Sequence, residues 1–146
     1  MTAIQVFVSY DGDHDTDLHD QLSTESSRQG SGFALSEHSR GGAMTDAWAA
    51  SARTRIRAAD EVLVICGEYT DASSRMEAEL RIVHEEGKPY MLLWGRRERM
   101  CTKPTGAKPT DAMYSWTRDI LGRQLSETLR NSKPPVVPES LKRPRA

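Results

Sequence analysis

The stretch that decides the fold spans residues 61–80 and reads EVLVICGEYTDASSRMEAEL. It opens with an apolar run from Glu61 to Cys66, which is the length of a strand and is typical of one buried on both faces of a sheet. Gly67 and a short polar loop end the run, and a helix is predicted to open behind a serine. This order of strand, loop and helix predicts that Glu79 lies at the mouth of a cleft.

The predicted helix has recognisable ends and one buried face. Ser74 and Glu77 have the spacing of a capping box at its start, and Gly87 with Pro89 indicates its stop. Its buried face is expected to consist of Met76, Leu80 and Val83.

Glu79 borders that apolar face, because it lies three residues after Met76 and four before Val83. Glu77 is instead placed to pair with Arg81 and is predicted to face solvent. A carboxylate held at an apolar margin near a cleft can be partly desolvated, so Glu79 is the leading candidate for chemistry.

Strand and helix patterns alternate along the rest of the chain. Further strands are predicted at 4–8, 33–35 and 90–94, and further helices at 15–27, from Thr45 to about 59, and at 112–130. The alternation predicts an α/β fold, a parallel sheet of about four to five strands covered on both faces. Residues 1–130 form the predicted domain, and residues 131–146 form a basic, proline-rich tail.

Ligands of such sheets bind at the carboxyl ends of the strands. The predicted cleft therefore contains Glu79, a glycine-bearing loop at 36–42 and several hydroxyl groups. The substrate-binding candidates at these ends are Ser9, Tyr10, Asp11, Ser36, His38, Gly67, Thr70 and Ser73.

Composition narrows the class of protein. The 146 residues are 37% hydrophobic and 28% charged, with a net charge of -1, which argues for a globular protein and against nucleic acid as the main partner. No apolar run approaches the roughly 20 residues that cross a membrane. Cys66 and Cys101 form no C-x-x-C pair, so a reduced, cytoplasmic protein is expected.

Other site chemistries find little support in the sequence. Four alternating aspartates at 11–17 lack the glycine and the final acid of a calcium loop, and are read instead as an acidic cap on the first helix. The histidines have no zinc spacing, and neither nucleotide-binding glycine motif occurs. Cys66 is read as a small apolar core residue. A basic loop holds Arg96, Arg97, Arg99, Lys103 and Lys108. It is predicted to be solvated, with phosphate or partner binding as the alternative. No metal and no cofactor are expected.

The assembled pieces resemble the TIR-like family, which includes the bacterial TIR proteins of the Thoeris anti-phage system. The resemblance rests on the order and spacing of several segments between residues 4 and 125: Val6 to Tyr10, Ile56 to Ile65, Gly67, Thr70, Ser73, Glu79–Leu80, Gly87 to Pro89, and Ser115–Trp116. It implies a flavodoxin-like three-layer sandwich. In many bacterial members it also implies cleavage of NAD at the nicotinamide–ribose bond, with NAD as substrate and no separate cofactor.

The family's Ser-x-Trp-x-x-x-Glu pattern falls on Ser73, Arg75 and Glu79, so the glutamate is kept and arginine replaces tryptophan. The resemblance implies that Glu79 is the catalytic residue. It further implies that the loop from Ser36 to Met44 covers the nucleotide or mediates self-association.

Three hypotheses follow. The first is an NAD glycohydrolase or ADP-ribosyl cyclase that makes a cyclic ADP-ribose-type signal for a separate effector in anti-phage defence. The second is a non-catalytic TIR-like module for protein–protein interaction, and the third is an enzyme like the nucleoside deoxyribosyltransferases. Arg75 favours the second hypothesis, and Glu79 favours the first.

Overall fold

The computed structural model describes residues 3–36 and 43–132, which form one parallel sheet with helices on both faces. The five strands are β1 (Ile4–Ser9), β2 (Phe33–Leu35), β3 (Glu61–Cys66), β4 (Tyr90–Trp94) and β5 (Met113–Ser115). The four helices are α1 (Thr16–Ser26), α2 (Asp46–Ala58), α3 (Ser74–Glu85) and α4 (Arg118–Ser132). A 3₁₀ turn, Thr70–Ala72, lies between β3 and α3.

The strands are ordered β2-β1-β3-β4-β5 and every neighbouring pair is parallel. This is the flavodoxin-like order, in which the chain reverses its direction of winding between the first and third strands. The predicted flavodoxin-like α/β sandwich is therefore confirmed.

Side chains that alternate along the strands divide the core into two layers. One layer joins Val6, Val8, Leu63 and Ile65 to apolar residues of α1 and α4. The other joins Phe7, Val62 and Val64 to apolar residues of α2 and α3. All six residues of β3 are buried, as its continuous apolar run predicts.

Local capping sets the helix limits. Thr45 caps α2 by accepting a hydrogen bond from the Trp48 amide at 3.1 Å, as predicted. Ser73 rather than Ser74 caps α3, through the Met76 amide at 3.2 Å, so the predicted Ser74–Glu77 box is wrong by one position. Gly87, with φ of 63°, follows the end of α3 in the left-handed conformation that glycine tolerates best.

The predicted final helix at 112–130 is wrong at its start. Residues 113–115 form β5 at the edge of the sheet, and α4 begins only at Arg118. Trp116 is buried but precedes the helix, whereas Leu121 and Leu125 are the buried residues of α4 itself. The predicted tail at 131–146 lies outside the described residues apart from the last residues of α4.

None of the helices in the described part of the chain is both long and apolar enough to cross a membrane.

Candidate functional site

A cleft of about 630 Å³ opens above the carboxyl ends of β1 and β3, where the winding direction reverses. Its walls come from the loop after β1, the segment before α2 and the loop that leads into α3. Its polar and apolar lining includes Tyr10, Asp11, Asp13, His14, Met44, Tyr69, Ser73 and Arg75. Both the position and the volume are typical of small-molecule sites in such folds.

Glu79 lies in the core beside this cleft and is 1% exposed. Ser9, the last residue of β1, donates a hydrogen bond from Oγ to Glu79 Oε1 at 2.7 Å, and Ser9 is also buried. Glu79 is not among the residues that line the cleft. The sequence predicts Glu79 at the cleft margin, and the structure places it deeper, with its hydroxyl partner at the end of β1.

Arg75 stands one helical turn before Glu79 on the same helix and lines the cleft. Its guanidinium carbon lies 5.1 Å from the centre of the Trp48 ring of α2, within the range of a cation–π contact. Here an arginine of α3 and an aromatic ring of α2 pack against each other beside the cleft.

Two of the predicted site residues form a turn beside the cleft. The Gly67 amide donates to Thr70 Oγ1 at 2.8 Å, and Thr70 is fully buried. A Cβ at Gly67 would lie 2.1 Å from Asp15 Oδ2, so only glycine leaves room for that carboxylate. Neither Gly67 nor Thr70 is among the residues that line the cleft.

Asp15 is a buried charge that Arg96 neutralises. Asp15 is 1% exposed, and its Oδ1 lies 3.0 Å from Arg96 Nη2, while Oδ2 has no hydrogen-bond partner in the described part of the chain. Burial raises the pKa of Asp15, and the hydrogen bond from Arg96 opposes the rise. Arg96 also lowers the pKa of the exposed Asp17, which lies 2.8 Å away. The aspartates are thus more than an exposed acidic cap, and Arg96 is engaged inside the protein.

The remaining predicted residues divide between the cleft and other places. Tyr10, Asp11 and Ser73 line the cleft, and the Tyr10 ring stacks on His19 at 4.5 Å. The Ser36 amide donates to Val6 O at 2.8 Å and extends the pairing of β2 with β1. His38 lies outside the described residues. Burial raises the pKa of the Cys66 thiol to about 12, which suits an unreactive core residue.

His14 also lies in the cleft, although the sequence does not predict it there. The ring lines the cleft, and its Nδ1 lies 2.7 Å from Asp11 Oδ2. That hydrogen bond is the main reason why the pKa of His14 is raised above its ordinary value of 6.5. The Tyr69 ring packs against His14 with 4.4 Å between ring centres. A spacing of three residues between Asp11 and His14 in a turn was the available signal.

No protein-family model matches this sequence, and no curated protein matches it. Among solved structures, the chain is similar to one described as the crystal structure of a prokaryotic SEFIR domain. The identity is 18%, the match covers 99% of each chain, and the TM-score is 0.49.

Proposed function

We propose that this protein is a TIR-like enzyme that cleaves NAD between nicotinamide and ribose. The observation that carries the proposal is the 2.7 Å hydrogen bond from Ser9 to Glu79, made at the carboxyl end of β1 beside the cleft. A carboxylate anchored at the winding reversal of a flavodoxin-like sheet lies where such folds bind their ligands. The cleft above it has the volume of a small-molecule site.

The proposed chemistry needs one carboxylate at the reacting carbon. When the bond to nicotinamide breaks, its electron pair leaves with nicotinamide as a neutral base, and the ribose becomes oxocarbenium-like. A fixed anion stabilises that developing positive charge, as in glycoside cleavage. Glu79 is the proposed catalytic residue, and Ser9 is the positioning residue that holds its Oε1.

The burial of Glu79 sets a condition on this mechanism. At 1% exposure its carboxylate does not reach a substrate in the described conformation. Catalysis therefore requires a state in which the first turn of α3, including Arg75, uncovers Glu79. We propose that self-association on activation causes this change. The proposed product is a cyclic ADP-ribose-type nucleotide, which signals to a separate effector in Thoeris-like anti-phage defence. The cytoplasmic location stays a prediction.

The burial of Glu79 also favours a second function, a non-catalytic TIR-like module for protein–protein interaction. In that case the contact between Ser9 and Glu79 stabilises the end of the sheet and nothing more. Arg75 in place of the family's tryptophan agrees with this alternative.

Nicotinamide release from NAD distinguishes the two functions. Wild type, Glu79→Gln and Glu77→Gln are incubated with NAD at high protein concentration and in infected-cell lysate. Glu77 is the matched control because it lies on the same helix, is 41% exposed and pairs with Arg81 at 3.6 Å. We expect release by wild type and Glu77→Gln, and none by Glu79→Gln.

Two outcomes contradict the enzyme. One is release that Glu79→Gln retains in full. The other is absence of release under every assembling condition while Glu79→Gln still functions in cells, which supports the interaction module. A parallel reaction with a deoxyribonucleoside and a free purine tests the deoxyribosyltransferase-like alternative, since transfer of the deoxyribose is specific to it.

A further inference from the structure

The turn after β1 holds a second acid–base group that faces the cleft. Asp11 and His14 form a dyad in which Asp11 Oδ2 lies 2.7 Å from His14 Nδ1. Asp11 is 5% exposed, whereas the His14 side chain is 50% exposed. The dyad therefore has a buried carboxylate behind an accessible imidazole, which is the arrangement of an oriented general base.

The turn is fixed from several directions. Asp11 Oδ1 accepts a hydrogen bond from the Asp13 amide at 2.9 Å, and the Asp15 amide donates to Asp11 O at 2.8 Å. Arg96 Nη2 donates to the carbonyl oxygen of His14 at 3.1 Å and also holds Asp15. These contacts order the backbone on both sides of His14 before any ligand binds, so the ring needs little rearrangement.

The contacts also determine which ring nitrogen is available. An ionised Asp11 only accepts hydrogen bonds, so His14 Nδ1 carries the proton that it donates. In the neutral imidazole Nε2 then has the lone pair. Among the described residues Nε2 has no hydrogen-bond partner, while the exposed Tyr69 ring packs against the imidazole at 4.4 Å between centres. Nε2 is thus free to accept a proton in the cleft.

One short segment connects this dyad to Glu79. Ser9 bonds Glu79, and Asp11, two residues later, bonds His14. The carboxylate that stabilises a ribosyl cation and the base that faces the cleft are held by the same end of β1. Residues 9–11 at the carboxyl end of β1 thus hold both groups, and the first turn of α3 that uncovers Glu79 in the proposed active state lines the same cleft as His14.

We propose that His14, oriented by Asp11, is the general base that removes the proton from a hydroxyl acceptor as it captures the ribosyl group. This inference rests on the proposed function and identifies the class of acceptor. The acceptor oxygen forms its bond to the ribose carbon that nicotinamide leaves, and its proton moves to His14 Nε2. A ring nitrogen acceptor has no proton to lose and gains nothing from His14, so the enzyme favours water or a ribose hydroxyl.

The pH dependence of capture follows from the charges around His14. Three aspartates of the same turn face His14, namely Asp11, Asp13 and Asp15. The other walls of the cleft and the loop after β4 bring Tyr69, Arg75 and Arg96 to it. The hydrogen bond from Asp11 and the aspartate charges raise the pKa of His14 above 6.5, against a smaller effect of desolvation. Capture by hydroxyl groups should therefore increase as the pH rises above 6.5, because only neutral His14 accepts a proton.

The test compares two acceptors in one reaction. The full chain is incubated with NAD and 3-acetylpyridine, which exchanges with nicotinamide without losing a proton. Products of exchange and of hydroxyl capture are measured separately for wild type, His14→Asn, Asp11→Asn and His84→Asn. His84 is the matched control because it lies in the last turn of α3, at the opposite end from the cleft, and bonds Gly106 O.

We expect His14→Asn to lose roughly 100-fold or more of hydroxyl capture, the usual contribution of a general base, and to retain exchange. Asp11→Asn should lose hydroxyl capture in the same way. The side-chain amide at position 11 then donates a hydrogen bond to His14 Nδ1, so the ring proton moves to Nε2 and Nε2 no longer accepts a proton. In wild type, hydroxyl capture should increase relative to exchange as pH rises, while His84→Asn resembles wild type.

Each other outcome overturns the inference in a recognisable way. If His14→Asn loses hydroxyl capture and exchange equally, His14 has a structural or substrate-binding role. If both products form as in wild type, His14 takes no part in the reaction. Folding of each variant is checked by urea unfolding, and the pH profile of wild type decides the question without any substitution if His14→Asn does not fold. Absence of nicotinamide release from wild type under every assembling condition overturns the proposed function together with this inference, whereas hydroxyl capture that depends on Glu79 but not on His14 overturns the inference alone.

Discussion

Both carboxylate oxygens of Glu61 lie in the core without a hydrogen-bond partner in the described part of the chain. Glu61 begins β3, is 0% exposed and shares its face of the strand with Leu63 and Ile65. Burial, with a smaller effect of Asp60, raises the pKa of Glu61 from 4.5 to about 8. Its carboxyl group is therefore neutral in the folded protein at pH 7 and ionised in the unfolded chain.

This difference makes the free energy of unfolding depend on pH. The unfolded chain releases the proton above pH 4.5 and the folded protein keeps it until about pH 8, so the folded state loses stability as the pH rises through that window. At about 1.36 kcal/mol per pH unit, the loss between pH 5 and pH 8 is roughly 3 to 4 kcal/mol. That is a large part of the 5 to 15 kcal/mol that stabilises a typical domain.

Replacing Glu61 by glutamine removes the titrating group and keeps its shape. Urea unfolding of wild type and Glu61→Gln is measured from pH 5 to pH 8. All other groups titrate in both proteins, so their contributions cancel in the difference between the two free energies of unfolding. We expect the variant to gain roughly 3 to 4 kcal/mol over wild type across this range. Burying the amide lowers the free energy of unfolding by an amount that does not depend on pH, so the change of that free energy with pH is unaffected.

An exposed glutamate provides the control for this measurement. Glu98→Gln changes the same functional group at an exposed position in the loop after β4, and its unfolding free energy should follow wild type at every pH. A constant difference between Glu61→Gln and wild type would refute the argument, because it would show that Glu61 has the same proton affinity in both states.

Three further substitutions test contacts near the cleft by urea unfolding. Gly67→Ala places a Cβ 2.1 Å from Asp15 Oδ2, and the resulting overpacking should cost about 1 to 3 kcal/mol; a neutral result contradicts the close packing. Arg96→Gln leaves the buried Asp15 without its cation and should cost about 2 kcal/mol at pH 7, less than for a fully buried pair because Arg96 is partly exposed. This loss of stability should decrease toward pH 4, because Asp15 becomes protonated there. A loss that is the same at every pH contradicts the ion pair. Ser9→Ala removes the hydroxyl that donates to buried Glu79 and should lower the free energy of unfolding by about 1 to 3 kcal/mol. An unchanged urea midpoint would show that this hydrogen bond does not stabilise the fold.

The fold was predictable because its main signals are local. Short windows of sequence contain the apolar run of β3 with the glycine that ends it, the glycine after α3 and the four-residue spacing along the helices. β5 was missed because a three-residue edge strand, only partly buried and preceded by a long loop with Pro104 and Pro109, has no period to recognise. Trp116 lies four residues before Ile120, so it matched the stripe of α4 although it precedes the helix.

The site was less predictable because its contacts join distant parts of the chain. Asp15 is buried because Gly67 leaves room for its carboxylate and because Arg96, 81 residues away in sequence, supplies the opposite charge. An aspartate before a helix is normally solvated, and neither partner is apparent from local pattern. Glu79 was identified from its helical spacing, yet its depth depends on Ser9, which is 70 residues away.

The strand order has a consequence for how the chain is synthesised. β1 is flanked by β2 and β3, and its register pairs Val6 with Glu61. The apolar segment Val6–Val8 therefore leaves the ribosome well before its main partner strand exists. At 5 to 20 residues per second, the intervening 55 or so residues take roughly 3 to 11 seconds. During that interval β1 can pair only with the short β2, so nascent chains of this length should be the ones that need a chaperone most.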